Sequence, residues 1–179
     1  MEKQELEACI NEYGKAIYSF CRQLTGNRQE ADDLYQDTFL KAMELNGKID
    51  YNNNPKSYLL SIALRIWKNK KRKYAWRKRI ADTRSIVEEQ DAEMDAPAGP
   101  SPEERAIDKE ECDIVRRAVE KLPERLKLTV LLFYMEELPA KQIAAILKIP
   151  TGTVLSRLHQ ARKILRKELE SVLNGKRIG

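Results

Sequence analysis

The segment from Leu138 to Lys167, LPAKQIAAILKIPTGTVLSRLHQARKILRK, predicts two consecutive helices separated by a tight turn. Apolar residues recur at helical spacing as far as Leu147, and Pro150 disfavours continuation of the first helix. Thr151 is predicted to cap the second helix, which has one apolar face. This is the pattern of a helix-turn-helix, which occurs in DNA-binding domains and also in ordinary helical hairpins.

The other face of the second helix carries short hydrogen-bonding groups near its start and cations after them. This order suits a helix whose first turns contact base edges and whose later turns contact phosphates. A solvated hairpin is the alternative explanation. The candidate DNA-binding residues are Thr151, Thr153, Ser156, Arg157, His159, Gln160, Arg162 and Lys163.

The composition predicts a soluble, helical protein. The chain has 179 residues, of which 42% are hydrophobic and 34% are charged, with few glycines and prolines. It has no long apolar run and no signal peptide, so we expect a cytoplasmic protein that does not insert into the membrane. The three cysteines and the single histidine lack metal-ligand spacing, so we expect no metal and no cofactor. Cys9 and Cys21 flank an apolar helical face and are expected to be buried thiols.

The net charge of +5 conceals a strong segregation of charge. Residues 65–79 carry nine basic and no acidic side chains, and residues 151–179 carry seven basic and two acidic ones. Residues 80–104 carry one basic and eight acidic side chains. The two basic segments are suited to polyanions, since each phosphate contact adds to affinity. The acidic segment, which also contains Pro and Gly, is predicted to be a flexible linker.

The predicted fold is all-α, with two small helical domains joined by this acidic linker. Residues 1–79 form an N-terminal domain of three helices, with caps at Asn27 and at Asn54 before Pro55. Residues 80–104 are the linker, and residues 105–179 form a C-terminal domain that contains the helix-turn-helix. Residues 124–135 are rich in Val, Leu and Phe, which also suit a strand. We predict a helix there, because the chain offers no partner strand.

The outer face of the second predicted helix is acidic. Asp32, Asp33 and Asp37 lie on it together with Gln36 and Lys41. Acids near a helix N-terminus are stabilising in themselves, by about 0.3 to 1 kcal/mol each. The alternative is that this face docks another protein, and composition alone does not decide between the two.

Three segments in this order resemble bacterial RNA polymerase sigma factors of the extracytoplasmic-function group. They are EADDLYQDTFLKAM at residues 30–43, NPKSYLLSIALRIWKNKKRK at residues 54–73, and residues 122–162, which contain the helix-turn-helix. The resemblance implies an alternative sigma factor that binds core RNA polymerase and directs it to promoter DNA. It also implies an anti-sigma factor as a partner and no enzymatic activity.

The resemblance further implies roles for individual residues. Those that would bind the clamp helices of the polymerase largest subunit are Asp32, Asp33, Leu34, Gln36, Asp37 and Phe39. Those that would capture and hold the minus-ten element are Tyr51, Asn52, Asn53, Asn54, Lys56, Tyr58, Arg65, Lys68 and Arg72. The helix from Thr151 to Lys163 would enter the major groove of the minus-thirty-five element, and the acidic linker would run toward the RNA path.

Four residues depart from those frequent in the family: Arg65, Lys148, Leu155 and Gln160. Lys148 stands where glycine is usual in the turn. Leu155 and Gln160 replace cations, so weaker phosphate contacts are expected from the recognition helix. A stand-alone helix-turn-helix regulator is the alternative function. A metal-dependent enzyme built on the aspartates of the second helix is a more distant one.

Overall fold

The structure is a computed structural model of the chain and describes residues 3–45, 54–81 and 106–177. All regular elements in these ranges are helical, which confirms the all-α prediction. They are α1 (Lys3–Thr25), α2 (Arg28–Glu44), α3 (Pro55–Ala81), α4 (Ala106–Glu120), α5 (Glu124–Val130), a π-helical turn (Leu131–Met135), α6 (Ala140–Leu147) and α7 (Thr151–Arg177).

The chain divides into two compact units, Met1–Ala96 and Pro97–Gly179. The first contains α1 to α3 and the second contains α4 to α7. The limits predicted for the linker, residues 80 and 104, stay a prediction, since residues 82–105 lie outside the described ranges, but α3 continues to Ala81, two residues past the domain end predicted at residue 79.

A glycine and a capping asparagine form the turn between α1 and α2. Gly26 has φ 77°, a left-handed conformation that costs glycine little, and its N–H donates to the Arg22 carbonyl at 3.1 Å. The Asn27 side chain then accepts a hydrogen bond from the Glu30 N–H at 2.8 Å. The predicted cap at Asn27 is confirmed.

Helices α1, α2 and α3 pack on one another around a single apolar core. Its innermost side chains, all at most 1% exposed, include Ile17, Phe20, Leu34, Leu59 and Leu60. Cys9 and Cys21 are buried beside them as thiols, as predicted. Gly14 lets α1 approach α2 closely, since a Cβ there would lie 2.9 Å from the Tyr35 hydroxyl.

Helix α3 begins in the core and continues beyond it. Pro55 is its first residue, and the Ser57 N–H donates to the Asn54 side chain at 3.2 Å, so the cap predicted there is confirmed. Asn54 has φ 60°, which asparagine tolerates better than most residues. Every side chain from Lys68 to Ile80 is exposed, so the second half of α3 lacks cover within the described part of its unit.

The core of the second unit joins α5 to α7. Leu122, Leu126, Val130 and Ala161 form its centre, with Val119 and Leu165 packed against them. Residues 124–135 are helical, as predicted, but the last turn is a π-turn in which the Glu136 N–H donates to the Leu131 carbonyl at 3.1 Å. Val115 of α4 lies outside this core and is 47% exposed, because α5 and α7 pack on the side of α4 that carries Ala118.

Helices α6 and α7 form the predicted helix-turn-helix. Lys148 ends α6 in the left-handed conformation, with φ 55° and ψ 48°, and the Ile149 N–H donates to the Ala144 carbonyl at 3.0 Å. The Pro150 carbonyl accepts the Val154 N–H at 3.2 Å and so starts the hydrogen-bond ladder of α7. Thr151 is therefore the first helical residue, and the prediction that it caps the helix is wrong.

Candidate functional site

The candidate docking residues of α2 divide into an accessible set and a buried set. Asp33 and Gln36 are exposed, and Asp32 and Asp37 are half-buried. Leu34 and Phe39 are 1% and 6% exposed and lie in the core of the first unit. Burial leaves these two side chains to hold α2 against its neighbours, so the accessible surface consists of the acids and the amide.

Two contacts fix the acids of this face. The Tyr18 hydroxyl of α1 donates to Asp32 Oδ1 at 2.7 Å. This hydrogen bond to the carboxylate, followed by burial, raises the pKa of Tyr18 above its ordinary value, so the phenol keeps its proton to a higher pH than a tyrosine in water does. The Lys70 Nζ of α3 lies 2.6 Å from Asp37 Oδ2, with both side chains about half exposed.

The structure adds an apolar residue that the sequence analysis missed. Leu40 follows Gln36 by four residues and Asp37 by three, so it shares their face of α2, and it is 55% exposed. The helical spacing could have shown that Leu40 shares this face, but not that it stays exposed. Beside the face, α1 and α2 border an open groove lined by Ile10, Asn11, Gly14, Lys15, Tyr18, Asp32, Tyr35 and Gln36.

The candidate minus-ten residues are distributed along α3. Arg65, Lys68 and Arg72 follow one another at helical spacing and are all exposed, so they form one cationic stripe. Asn54, Lys56 and Tyr58 are half-buried at the start of α3, and burial raises the pKa of Tyr58. Tyr51, Asn52 and Asn53 lie outside the described residues.

The candidate minus-thirty-five residues lie on α7, opposite its buried side. Val154, Leu158 and Ala161 are at most 2% exposed and face the core. At about 100° per residue, Ser156 and Lys163 point directly away from that core, while Arg157 and Arg162 lie on its two flanks. The exposed candidates are Thr151, Ser156, His159, Gln160, Arg162 and Lys163, and the half-buried ones are Thr153 and Arg157.

Arg162 is held by the π-helical turn. Its Nε donates to the Tyr134 hydroxyl at 2.7 Å, and its guanidinium lies 5.8 Å and 5.9 Å from the ring centres of Tyr134 and Phe133. These contacts fix the direction of a cation at the edge of the candidate DNA-binding face. The sequence analysis assigned no role to Tyr134, because its position depends on the irregular turn.

Other site types find little support in the described ranges. No group of three or more His, Cys, Asp or Glu side chains there is arranged to hold a metal ion. Within the same residues, no helix has the length and apolar character needed to cross a bilayer.

Comparison with protein families accounts for both units. Residues 9–77 match the model of Sigma-70 region 2, and residues 112–165 match that of Sigma-70 region 4. Together the two ranges include well over half of the chain. The chain belongs to the sigma-70 family. Its relatives place it in the extracytoplasmic-function group.

Two relatives are similar to this chain over nearly its whole length and over most of their own. The ECF RNA polymerase sigma factor SigW of Bacillus subtilis is 29% identical over 167 residues, which are 91% of this chain and 88% of that protein. The RNA polymerase sigma-H factor of Pseudomonas aeruginosa is 29% identical over 177 residues, 96% of this chain and 90% of that protein. The chain is thus an alternative sigma factor that directs transcription initiation, and sigma factors are initiation factors rather than enzymes.

Solved structures share the fold. One is the sigma factor RpoE of Bartonella quintana, solved in complex with the anti-sigma factor NepR. Its TM-score is 0.72 at 24% sequence identity, and the superposed residues are 94% of this chain and 96% of the RpoE chain. CnrH in complex with the cytosolic domain of CnrY gives 0.66 at 18% identity, over 95% and 90% of the two chains.

Proposed function

We propose that this sigma factor binds core RNA polymerase through the outer face of α2, holds the separated minus-ten strand along α3, and binds the minus-thirty-five element through α7. One observation carries the proposal: all three faces point away from the cores of their units. The α2 face is mainly acidic, the α3 face is mainly basic, and the α7 face combines short polar side chains with three cations. Acidic side chains would repel DNA, so the α2 face is suited to a protein partner. The cations of α3 and α7 are suited to bind DNA phosphates.

The α2 face has the composition of a protein-docking surface. Leu40 offers an exposed apolar side chain, and Asp33, Gln36 and Asp37 surround it on the same helix. Interfaces commonly combine an apolar anchor with a polar rim that excludes water and sets orientation. The Tyr18 hydrogen bond keeps Asp32 in a fixed position at the edge of this surface.

The α3 stripe supports strand separation without a catalytic group. Arg65, Lys68 and Arg72 would neutralise phosphates of one strand, and the residues before Pro55 would hold an unstacked base. Binding only to the open form shifts the duplex equilibrium toward melting by the difference in affinity. The polar side chains implied for base capture, Tyr51, Asn52 and Asn53, belong to this proposal on the family resemblance alone.

The two DNA-binding faces belong to different units, so the chain between them acts as a tether. We expect each face to bind DNA weakly on its own. The α7 face in particular lacks cations at Leu155 and Gln160. Joining both on one polymerase raises the effective concentration of the second contact. We assign the two domains to residues 1–79 and 105–179 and the tether to residues 80–104, whose first two residues, Ile80 and Ala81, are still in α3.

The remaining assignments follow from the family. Core RNA polymerase and promoter DNA are the required partners, which places the protein in the cytoplasm. An anti-sigma factor is a further partner, since related folds are seen bound to such proteins. No enzymatic activity and no cofactor are needed for this function.

In vitro transcription tests the proposal. Core enzyme with this protein is expected to initiate from a discrete set of start sites on a genome-wide template pool, and sequencing the transcripts would define both promoter elements. Core enzyme alone is the control. A stand-alone regulator would bind DNA without supporting initiation, so failure on every template would contradict the sigma-factor mechanism.

A further inference from the structure

We infer that Trp76 is a stacking platform for unpaired bases, placed at the far end of the cationic stripe of α3. The ligand is single-stranded nucleic acid. The inference rests on the proposed role of α3 in strand holding. It extends that role past Lys73, where the segment quoted for the resemblance ends, to a residue that still lies within the match to Sigma-70 region 2.

Helical geometry places Trp76 on the DNA-binding stripe. Trp76 and Arg79 continue the stripe at the same intervals of three and four residues, within one uninterrupted helix. Arg65 and Trp76 are separated by three helical turns, or roughly 16 Å along the axis. Tyr74 lies on the other side of the helix, on the line that contains Trp67 and Lys71.

The exposure of Trp76 has no explanation within the described part of its unit. Its side chain is 64% exposed, and every side chain from Lys68 to Ile80 is exposed. An indole so exposed on a charged helix leaves a large apolar surface in water, at a cost of about 25 cal/mol for each Å² left uncovered. A ligand that covers the ring recovers this energy.

The charge around Trp76 selects the ligand. One helical turn away on the same stripe lie Arg72 and Arg79, with Lys73 beside them, and residues 65–79 contain no acidic side chain. A partner must therefore be polyanionic and must present flat apolar surfaces. Single strands meet both requirements, whereas a duplex keeps its base faces stacked inside.

Binding of labelled oligodeoxynucleotides to the full-length protein tests the inference. A single strand of mixed sequence and its duplex are titrated separately by fluorescence anisotropy at low salt. Trp76→Ala is expected to weaken single-strand binding by about 5- to 140-fold, the range for loss of one stacked base. Duplex binding is expected to stay unchanged. Trp76→Phe should restore most of the single-strand affinity, because phenylalanine can still stack.

Tyr74→Ala is the matched control, because it removes an equally exposed aromatic ring, 69% exposed, from the other side of the same helix. It is expected to leave single-strand binding unchanged. Equal losses from Trp76→Ala and Tyr74→Ala, or equal losses on single strand and duplex, would overturn the inference. So would a loss of core-polymerase affinity without any loss of single-strand affinity, which would assign the ring to a protein contact.

The two proposals can fail separately. The oligonucleotide assay contains neither polymerase nor promoter, so absence of initiation in vitro would leave a Trp76-dependent preference for single strands intact. Conversely, normal initiation with no effect of Trp76→Ala on single-strand binding would remove only this inference.

Discussion

Lys148 holds a backbone conformation that its side chain disfavours. A left-handed conformation costs a residue with a Cβ about 1 to 2 kcal/mol. Glycine avoids this cost, but it loses more conformational entropy on folding, which offsets part of the gain in stability. We predict that Lys148→Gly raises the stability of the second unit by about 0.5 to 1 kcal/mol. Urea unfolding followed by circular dichroism measures this. Lys167→Gly, in the exposed interior of α7, is the control and should lower stability by about 1 kcal/mol.

Asp37 and Lys70 make a second test at the scale of single residues. If Asp37 contacts core polymerase, its Lys70 ion pair in the free protein competes with that contact. We predict that Asp37→Asn weakens core-polymerase binding by about tenfold, near 1.4 kcal/mol, whereas Lys70→Gln leaves it unchanged or tightens it by up to about 1 kcal/mol.

A competition assay with labelled sigma factor distinguishes the two variants of this pair. Glu12→Gln is the matched control, since it removes an exposed carboxylate from α1 outside the docking face. Equal weakening by Lys70→Gln and Asp37→Asn would show that the ion pair supports the fold rather than competing with polymerase.

Local chemistry made some single residues predictable and others not. The caps at Asn27 and Asn54 depend on neighbours three residues away, so the sequence contained the whole signal. The exposure of Leu40 and of Val115 depends on which helix packs nearby, and a helical pattern alone does not contain that information.

At the scale of helices, the division of α7 into faces yields a specificity test. Gln160 and Lys163 are both exposed, but an amide can pair with a base edge and an ammonium acts as a point charge. We predict that Gln160→Ala relaxes sequence preference at one upstream base pair by about 1 to 3 kcal/mol. Lys163→Ala should weaken binding to all sequences equally and reduce its salt dependence.

Affinity of the reconstituted holoenzyme for a set of upstream-element variants, measured at several salt concentrations, separates these effects. If Gln160→Ala lowered the affinity for all upstream-element variants equally, Gln160 would contact the DNA backbone and not a base. A changed base preference from Lys163→Ala would require a new alignment of α7 in the groove.

The π-helical turn shows what the pattern of a helix leaves out. The choice of helix over strand at residues 124–135 was predictable, because the chain offered no partner strand. The switch from α to π hydrogen bonding at Leu131 was not, since the spacing of apolar residues does not show which carbonyl accepts each N–H. The contact between Tyr134 and Arg162 follows from that switch.

At the scale of the whole molecule, each unit has its own core, so damage to one should spare the activity of the other. Leu126 is 1% exposed in the second unit. We predict that Leu126→Ala destabilises that unit by about 2 to 5 kcal/mol and abolishes minus-thirty-five binding. Core-polymerase binding through α2 should persist. Hydrogen exchange resolved by helix measures the first effect, and loss of protection in α1 to α3 would contradict it.

The two-unit organisation was evident from the segregation of charge, because the acidic segment separates two basic ones. Which side chains turn outward on α2, α3 and α7 required the structure. Helical spacing gives the relative positions of Asp37, Leu40 and Trp76 on their helices, but only packing decides that each is accessible.

The uninterrupted length of α3 has a consequence for how this protein can change over time. Its 27 residues form a rod of roughly 40 Å, in which each position has a fixed angle and a fixed height. A substitution in the outer half alters one contact. A single inserted or deleted residue near Asn69 would turn everything beyond it by about 100°, removing Arg72 and Trp76 from the stripe together. Lineages that keep this function should therefore vary in residue type along α3 while keeping its residue count.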